Sequence, residues 1–319
     1  MIIIQLAGGL GNQMFQYALY LQLKSLGKEV KIDDWTGFEQ DGQRELSLIP
    51  FGINYERATA KELEKMLDSA PYLWSRIRRR LCGRNKKAYF EADKRYKPEI
   101  LSWDDIYLEG YWQTEKYFSA VSEEVKKTYD VDRLTQYVRE KDKESAGLDH
   151  GHAPQQGARF EEWLARITSD ESVSVHIRRG DYLLPENQAL FGGICTEAYY
   201  KEAMVQMKRE HPGCRFYLFT NDKQWVEEQA MGAAGDIEIV DAGAQGDYGE
   251  FVLMSMCRHN ILANSSFSWW ASYLNRNPDK SVFAPDKWLN GWDCSDFYRD
   301  DMHKITVGCE ATKGTTVHG

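Results

Sequence analysis

The amino-acid sequence predicts an α/β protein of two domains, and three observations support this fold class. Residues 173–284 alternate between strand-like and helical apolar patterns, which is typical of a parallel sheet with helices on both faces. The chain opens with a strand, a glycine-rich turn and a helix, as nucleotide-binding βα units do. At 319 residues, it is long for one hydrophobic core and comfortable for two.

The composition is that of a globular protein without a nucleic-acid partner. The net charge is −9, whereas a protein that binds a phosphate backbone needs a basic surface. Six cysteines are scattered without a C-x-x-C pair or zinc spacing, which favours reduced thiols in the cytoplasm. Residues 1–4 are too short for a signal sequence, and no apolar run approaches transmembrane length.

The first element is a strand over residues 2–6, followed by a glycine-rich turn over 7–13. The dinucleotide pattern G-x-G-x-x-G fails because Met14 occupies the third glycine position. Backbone N–H groups at the following helix start, with the amides of Asn12 and Gln13, are suited to hold a polar ligand. A tight turn with capping amides is the alternative.

The rest of the first half alternates less regularly, and a linker follows it. The predicted elements are strands at 29–32 and 106–108 and helices at 58–67, 73–80, 115–127 and 134–142. Residues 145–157 combine glycines, a proline and polar residues, so we place the domain boundary there. The predicted units are a first domain (1–150), a second domain (158–307) and a polar tail (308–319).

One basic run breaks the acidic balance. It extends from Arg76 to Arg80 and continues with Arg84, Lys86 and Lys87. A solvated helix face is one interpretation, and a patch that contacts anionic lipid headgroups is the other. The second interpretation predicts a cytoplasmic protein that is peripheral to the inner face of the membrane.

The second half provides three strand ends that are expected to meet at one edge of the sheet. The predicted strands are 173–177, 215–219, 237–240, 260–263 and 281–284, and the predicted helices are 197–210, 223–231, 248–257 and 266–275. Open α/β sheets bind their ligands outside the carboxyl ends of parallel strands.

The first strand end carries His176, Arg178, Arg179 and Asp181. A guanidinium group can donate two hydrogen bonds to one phosphate, and Asp181 is suited to hold an arginine in place. A surface loop with a solvated Arg–Asp pair is the alternative.

The other two strand ends add short polar groups. Asn221 and Asp222 are suited to read a ribose or purine edge, or to cap the following helix. Ser265, Ser266 and Phe267 lie at a helix start, where backbone N–H groups bind anions, although an ordinary serine N-cap explains each serine as well.

Together these groups describe a diphosphate held by arginines and a helix N-terminus, which requires no divalent metal. The D-x-D pair Asp130 and Asp132 precedes a helix, so we interpret it as capping. The adjacent aspartates at 33–34, 104–105 and 300–301 diverge on extended backbone and are poor metal ligands.

Four segments, in this order, resemble the bacterial α-1,2-fucosyltransferases. They are residues 8–18 (GGLGNQMFQYA), 110–118 (GYWQTEKYF), 176–181 (HIRRGD) and 264–271 (NSSFSWWA). The resemblance covers about residues 1 to 290, and the H-x-R-R-x-D element alone resembles a broader group of fucosyltransferases.

This resemblance implies two Rossmann-like domains of the GT-B type that face a cleft, with GDP-fucose as donor and no metal. It makes residues 1–150 the acceptor-side domain and residues 158–307 the domain that binds GDP-fucose. Arg178 would hold the β-phosphate, His176 would support the sugar or nucleotide, and Asn12 and Gln13 would lie near the fucose. Ser265, Ser266 and Phe267 would line the diphosphate and guanosine site. The family more often has an acidic residue at the position of Asn221.

The implied reaction transfers fucose from GDP-β-L-fucose, with inversion, to the 2-hydroxyl of a terminal β-galactoside. The candidates for the proton acceptor are Asp33, Asp34, Glu109, Asp181 and the departing phosphate oxygen itself. Trp112 is expected either to stack on a sugar beside Gln113 or to lie in the core. The alternatives are another GDP-fucose-dependent transferase and a non-catalytic sugar-nucleotide-binding protein.

Overall fold

The computed structural model describes residues 1–39, 44–69, 72–83, 85–148, 155–229, 235–242 and 246–306. The described strands are β1 (Ile2–Gln5), β2 (Val30–Asp33), β3 (Ala88–Phe90), β4 (Ile106–Glu109), β5 (Ser172–Ile177), β6 (Arg215–Thr220), β7 (Ile237–Ile239), β8 (His259–Ile261), β9 (Val282–Pro285) and β10 (Met302–Ile305). They form two parallel sheets, which confirms the predicted α/β class.

The described helices surround these sheets. They are α1 (Leu10–Ser25), α2 (Ala60–Leu67), α3 (Leu73–Cys82), α4 (Ser122–Thr128), α5 (Val131–Leu148), α6 (Gln155–Ser169), α7 (Pro185–Phe191), α8 (Glu197–Glu210), α9 (Lys223–Glu228), α10 (Gly246–Met256) and α11 (Ser266–Leu274). Among the described residues, none of these helices combines the length and apolar character needed to cross a membrane.

The first sheet has the strand order β2-β1-β4-β3. Its central strand β1 is apolar on both faces because Ile2, Ile3 and Ile4 are all fully buried, as expected where helices cover a parallel sheet. The glycine-rich turn after β1 leads directly into α1, so that the start of this helix lies at the carboxyl edge of the sheet.

The second sheet has the strand order β10-β9-β8-β5-β6-β7, and all of its described pairings are parallel. From β5 the chain moves outward through β6 and β7, and then returns to β8 on the other side of β5. The two directions diverge between β5 and β8, and such a switch point opens a crevice for ligands at the carboxyl edge. The segments that follow β5 and β8 are those with the Arg-Arg and Ser-Ser pairs.

An aromatic cluster joins the two halves of the molecule. Phe15 on α1 lies 4.6 Å from Trp269 and 4.8 Å from Trp270 of α11, measured between ring centroids. The indole Nε1 of Trp270 donates a 2.9 Å hydrogen bond to the carbonyl oxygen of Gly11. A Cβ atom at Gly11 would lie 2.5 Å from the backbone carbon of Ser266, so glycine is needed for this approach.

The predicted helix over residues 115–127 is wrong over residues 115–121 and is confirmed from Ser122 onward as α4. Two short 3-10 turns, Glu115–Tyr117 and Ser119–Val121, precede α4. The adjacent residues Tyr117 and Phe118 are both buried but face different aromatic partners, Tyr96 and Trp270 respectively. A regular amphipathic helix has a single apolar face and cannot bury neighbouring residues against two different partners. Tertiary packing therefore overrides the helical propensity of this segment.

The predicted linker over 145–157 is also wrong at both ends, because α5 extends to Leu148 and α6 begins at Gln155. Helices α5 and α6 both pack against α10. Residues 149–154 and the predicted tail 308–319 lie outside the described residues. The domain boundary near residue 150 stays a prediction.

Candidate active site

A cleft of about 500 Å³ lies between the two sheets, at the carboxyl edges of both. The first half contributes Asn12, Arg44, Lys94, Tyr111 and Gln113, and the second half contributes Arg178, Asp181, Asp247, Ser265, Ser266 and Phe267. The site therefore combines cations, amides and hydroxyls from both halves of the molecule, a composition suited to a polar ligand.

Arg178 is held in the cleft by Asp181. Its Nε and Nη2 atoms donate hydrogen bonds of 2.8 and 2.9 Å to the two carboxylate oxygens. Burial alone would lower the pKa of the guanidinium, but the hydrogen bonds to Asp181 outweigh it and the pKa of Arg178 is raised. The Nη1 amino group lies on the other edge of this fork, from which it can donate to a phosphate oxygen.

The side chain of Arg179, the next residue, points away from the cleft toward α9. Its Nε donates to Asp222 over 3.2 Å, and its guanidinium carbon lies 4.1 Å from the ring centroid of Trp225. Asp222 also accepts a hydrogen bond from the backbone N–H of Trp225 and so caps α9. The amide oxygen of Asn221 accepts the backbone N–H of Arg179. Of the two interpretations of Asp222, the structure shows the helix cap.

Two helix N-termini meet at the cleft, those of α1 and α11. Ser265 is the N-cap of α11 and accepts the N–H of Phe267, as the serine-cap alternative predicts. Ser266 donates to the Oδ1 atom of Asn12 over 2.8 Å, and Gln113 donates to the same oxygen over 2.7 Å. This network links both halves of the molecule beside the positive ends of two helix dipoles.

Gln13 does not reach the cleft. It is fully buried, its Nε2 donates to the carbonyl oxygens of Gly8 and Glu45, and its Oε1 accepts the N–H of Ser47. The expectation that Gln13 lies beside the ligand is corrected to an anchoring role for the segment that begins at Arg44.

Trp112 is only 1% exposed and lies in the core, which is one of the two positions predicted for it. Its neighbour Gln113 lines the cleft. The backbone of Trp112 has a φ of 55°, and Glu91 accepts its N–H and that of Tyr111.

Arg44 brings a second cation to the same place. Its Nη2 lies 3.9 Å from a carboxylate oxygen of Asp181, and its Nη1 would lie 3.2 Å from a Cβ atom at Gly9. Arg44 and Arg178 therefore approach Asp181 from opposite halves of the molecule. No sequence pattern marked Arg44, because it lies in an irregular segment whose position depends on Gln13.

A small polar side pocket opens beside Arg178. Its lining includes His176, Asn221, Asp247, Glu250 and Phe267. Burial, followed by repulsion from Asp247, raises the pKa of Glu250 to about 7. Burial, followed by repulsion from Arg178, lowers the pKa of His176 to about 3, so that its ring is neutral at physiological pH.

The Nδ1 atom of His176 is buried and has no hydrogen-bond partner among the described residues. Such an atom is expected to find its partner in a ligand, since an unpaired buried polar group costs free energy. The sequence signal for Glu250 is weak, since it lies with Asp247 near the start of α10, where exposed acidic residues are common.

The candidate proton acceptors differ in their surroundings, and three of them are bound by other side chains. Asp33 is fully buried and accepts hydrogen bonds from Tyr107 and Thr36. Asp34 is bound by Tyr55 and Arg57, and Asp181 is bound by Arg178. These carboxylates are engaged in holding the fold or the arginine.

Glu109, at the end of β4, lines a first-half pocket of about 250 Å³ together with Gln5, Gln16, Glu91 and Tyr111. Burial raises the pKa of Glu109. This pocket shares Lys94 and Tyr111 with the cleft, so the two cavities adjoin.

A cluster of three side chains that are close enough to share a metal ion lies away from this edge. Within the described ranges, Glu171, His211 and His259 come together at the opposite, amino edge of the second sheet. Both ring nitrogens of His259 are already engaged, by Glu171 and by the N–H of Ser281. The D-x-D carboxylates of Asp130 and Asp132 both bind Arg276.

Two Rossmann-like layers that face a cleft between them are the fold of the GT-B glycosyltransferases. Within this class, the profile described as "Glycosyl transferase family 11" matches residues 85–291, well over half of the chain. The protein belongs to glycosyl transferase family 11.

Known relatives agree with this family. An Escherichia coli α-1,2-colitosyltransferase is 26% identical, over 93% of this chain and 95% of its own length. Galactoside α-(1,2)-fucosyltransferase 1 of Saimiri boliviensis boliviensis is 33% identical over 103 residues, which is 32% of this chain and 28% of its own.

Among solved structures, POFUT1 in complex with GDP-fucose covers 88% of this chain and 97% of its own, with a TM-score of 0.40 and 10% identity. Because this score is below 0.5, the fold assignment rests on the two parallel sheets themselves.

Proposed function

We propose that this glycosyltransferase moves L-fucose from GDP-β-L-fucose to the 2-hydroxyl of a terminal β-galactoside, with inversion and without a metal ion. The observation that carries the proposal is the Arg178–Asp181 fork beside the start of α11, with a base-sized polar pocket next to it. The whole-length similarity to an α-1,2-glycosyltransferase and the partial similarity to an α-1,2-fucosyltransferase support it.

The proposed role of the cations is to stabilise the departing diphosphate. As the bond between the fucose C1 and the β-phosphate oxygen breaks, negative charge develops on that oxygen. Arg178 donates to it from its Nη1 edge, Arg44 approaches from the opposite half, and the backbone N–H group of Ser266 lies at the positive end of the α11 dipole. These fixed positive groups take the role that a metal ion has in other transferases.

The proposed acceptor site is the first-half pocket that contains Glu109. The galactose 2-hydroxyl oxygen bonds to C1 of fucose on the face opposite the diphosphate, and its proton passes to the carboxylate of Glu109. GDP leaves with the electron pair of the broken C1–O bond, so charge and atoms balance. A raised pKa makes Glu109 a better base than an ordinary exposed glutamate.

The side pocket is proposed to hold the guanine base. The N1–H and N2–H groups of guanine match the two oxygens of one carboxylate, and Glu250 is suited to supply it, while the unpaired Nδ1 of His176 contacts the ring or ribose. Stacking against Phe267 is available in the same pocket.

A nucleotide competition experiment tests this assignment. We expect GDP to inhibit transfer at least tenfold better than inosine diphosphate, which lacks the 2-amino group, and we expect Glu250→Gln to remove most of the difference. Equal inhibition by both nucleotides in the wild type would contradict the role of Glu250.

The pH dependence of donor binding is a second test of the same assignment. Because GDP-fucose has no phosphate proton that titrates near pH 7, its KM should rise as pH falls through the pKa of Glu250, about 7.

Colitosyl transfer is the second candidate, because the relative that is similar over nearly the whole chain is an α-1,2-colitosyltransferase. Colitose is fucose without its 3-hydroxyl group, so both donors fit one nucleotide site. Measuring kcat/KM with each GDP-sugar separates the two functions. A preference for GDP-colitose of tenfold or more would replace the proposed donor sugar and leave the rest of the site unchanged.

A further inference from the structure

The helix α3 presents its apolar side chains to solvent. Leu73, Trp74, Ile77 and Leu81 are 68%, 80%, 39% and 79% exposed, respectively. A ten-residue helix is marginal in water unless an apolar face is buried, and α3 buries none of these four side chains. Exposed apolar residues that are grouped in this way indicate a surface that contacts something else.

The segment that contains this helix carries basic residues and no acidic ones. Residues 72–87 hold seven of the 40 basic residues of the chain and none of its 49 acidic ones, although the protein as a whole has a net charge of −9. This segment is therefore basic within a chain that is acidic as a whole.

The apolar and basic groups are arranged along the helix in separate stripes. At about 100° per residue, the four apolar side chains cover an arc of about 100°. Arg76 and Arg80, both exposed, lie along one edge of this arc, and Arg78 lies along the other, where it binds Asp68. Arginines placed as Arg76 and Arg80 are can extend their charged ends to a polar layer while their stems cover apolar surface.

The position of α3 is fixed on the protein side by Asp68. This residue ends α2 in the left-handed conformation, with a φ of 49°, and its carboxylate binds Arg78 and the backbone N–H of Asn85. The middle of α3 and the segment just after it are thus tied to one carboxylate, and the apolar side chains of the helix remain exposed.

We propose that α3 is an interfacial helix that docks this protein on the surface of an anionic lipid membrane. An apolar arc with a tryptophan, flanked by arginines, is the pattern of helices that lie in the headgroup layer. Each arginine near an anionic surface adds to the attraction, and the acidic remainder of the protein keeps other faces away from it. This inference goes beyond the proposed function and does not depend on which sugar is transferred.

Vesicle sedimentation of the full-length protein tests the proposal. Vesicles of phosphatidylcholine alone are compared with equimolar phosphatidylcholine and phosphatidylglycerol at about 0.1 M salt. The expected result is at least tenfold stronger binding to the anionic vesicles, with binding lost as salt is raised. Equal or absent binding to the two vesicle types would overturn the proposal.

Two variants and two matched controls locate the contact. Trp74→Ser/Leu81→Ser removes apolar area, and Arg76→Glu/Arg80→Glu reverses charge; each is expected to lower binding to anionic vesicles at least tenfold. The apolar control is Leu26→Ser/Ile49→Ser, at exposed side chains outside α3, and the charge control is Lys24→Glu/Arg209→Glu. Both controls should bind as the wild type does.

Analytical ultracentrifugation decides between a membrane and a second copy of the chain. The membrane proposal predicts that Trp74→Ser/Leu81→Ser leaves the sedimentation coefficient without vesicles unchanged. A wild-type dimer that this variant dissociates, combined with weak vesicle binding, would assign the α3 surface to self-association instead. Transfer to a soluble acceptor serves as the folding control and should be the same in all four variants.

Discussion

At the scale of single residues, two neighbouring arginines have different tasks. Arg178 lies in the cleft, where Asp181 fixes one edge of its guanidinium group. Arg179 lies outside it and binds the α9 cap residue Asp222 and the ring of Trp225. The H-x-R-R-x-D segment therefore combines one arginine that lines the cleft with one that connects β5 to the end of β6.

Replacing Arg178 by lysine should reduce kcat by about 10²- to 10³-fold, roughly 3 kcal/mol of transition-state stabilisation. A lysine ammonium cannot bind both Asp181 and a phosphate in the forked geometry of a guanidinium. Steady-state kinetics with a saturating acceptor measure the effect. Arg179→Lys is the matched control, and a similar loss of kcat in both variants would show that the two residues are not divided in this way.

Replacing Glu109 by glutamine should lower kcat by about 10²- to 10⁴-fold with little change in the KM for the donor, because a general base acts in the chemical step. In the wild type, kcat should fall on the acid side of a raised glutamate pKa, since the carboxylate must be ionised to accept the proton. That acid limb should be absent from the pH profile of Glu109→Gln. A variant with wild-type kcat would transfer the proton-accepting role to the phosphate oxygen.

At the scale of elements, the sequence predicted the second sheet well because its strands and helices have clear and separate periodicities. Helix α8, for example, was predicted with its observed bounds, Glu197–Glu210. Predictions were wrong where long-range contacts decide, as at Tyr117 and Phe118, which face different aromatic partners. Helix α6 was missed although Phe160 and Ile167 have helical spacing and are buried.

The functional side chains divide in a similar way. Arg178, Asp181 and Ser265 are found at strand ends or helix starts, where local sequence fixes geometry. Arg44 and Glu250 reach the site only through tertiary packing, and Gln13 turns out to be an anchor. No single-sequence pattern encodes such contacts, because they join segments that are far apart in the chain.

The contact between α1 and α11 yields a prediction about Gly11. An added methyl group would lie within 2.7 Å of backbone atoms of Ser266 and Phe267, which do not yield as a flexible side chain would. Gly11→Ala should therefore reduce the free energy of unfolding by about 1–3 kcal/mol. Denaturant unfolding measures this.

The matched control is Gly235→Ala, a glycine with no atom within 4 Å of the added Cβ. It should change the free energy of unfolding by less than about 0.5 kcal/mol. Equal losses of stability in the two variants would contradict the close approach of α1 and α11.

At the scale of the whole molecule, the cleft lies between the two sheets, and both halves of the molecule contribute its positive groups. Arg44 and the start of α1 belong to the first half, and Arg178 and the start of α11 belong to the second. If these groups supply the charge that the leaving diphosphate requires, then a chelator such as EDTA should leave the rate of transfer unchanged. Loss of activity in EDTA that Mn²⁺ restores would show that the proposed metal-free mechanism is incorrect.

The measurement that tests the central claim most directly is a transfer assay with GDP-fucose and lactose, followed by NMR determination of the product linkage. The account predicts a trisaccharide in which fucose is α-linked to the 2-hydroxyl of the galactose. An inverted anomeric centre, read from the same spectrum, supports the single displacement between Glu109 and Arg178. A β-linked product, fucose on another hydroxyl, or a failure of the protein to bind GDP-fucose at all would contradict the account.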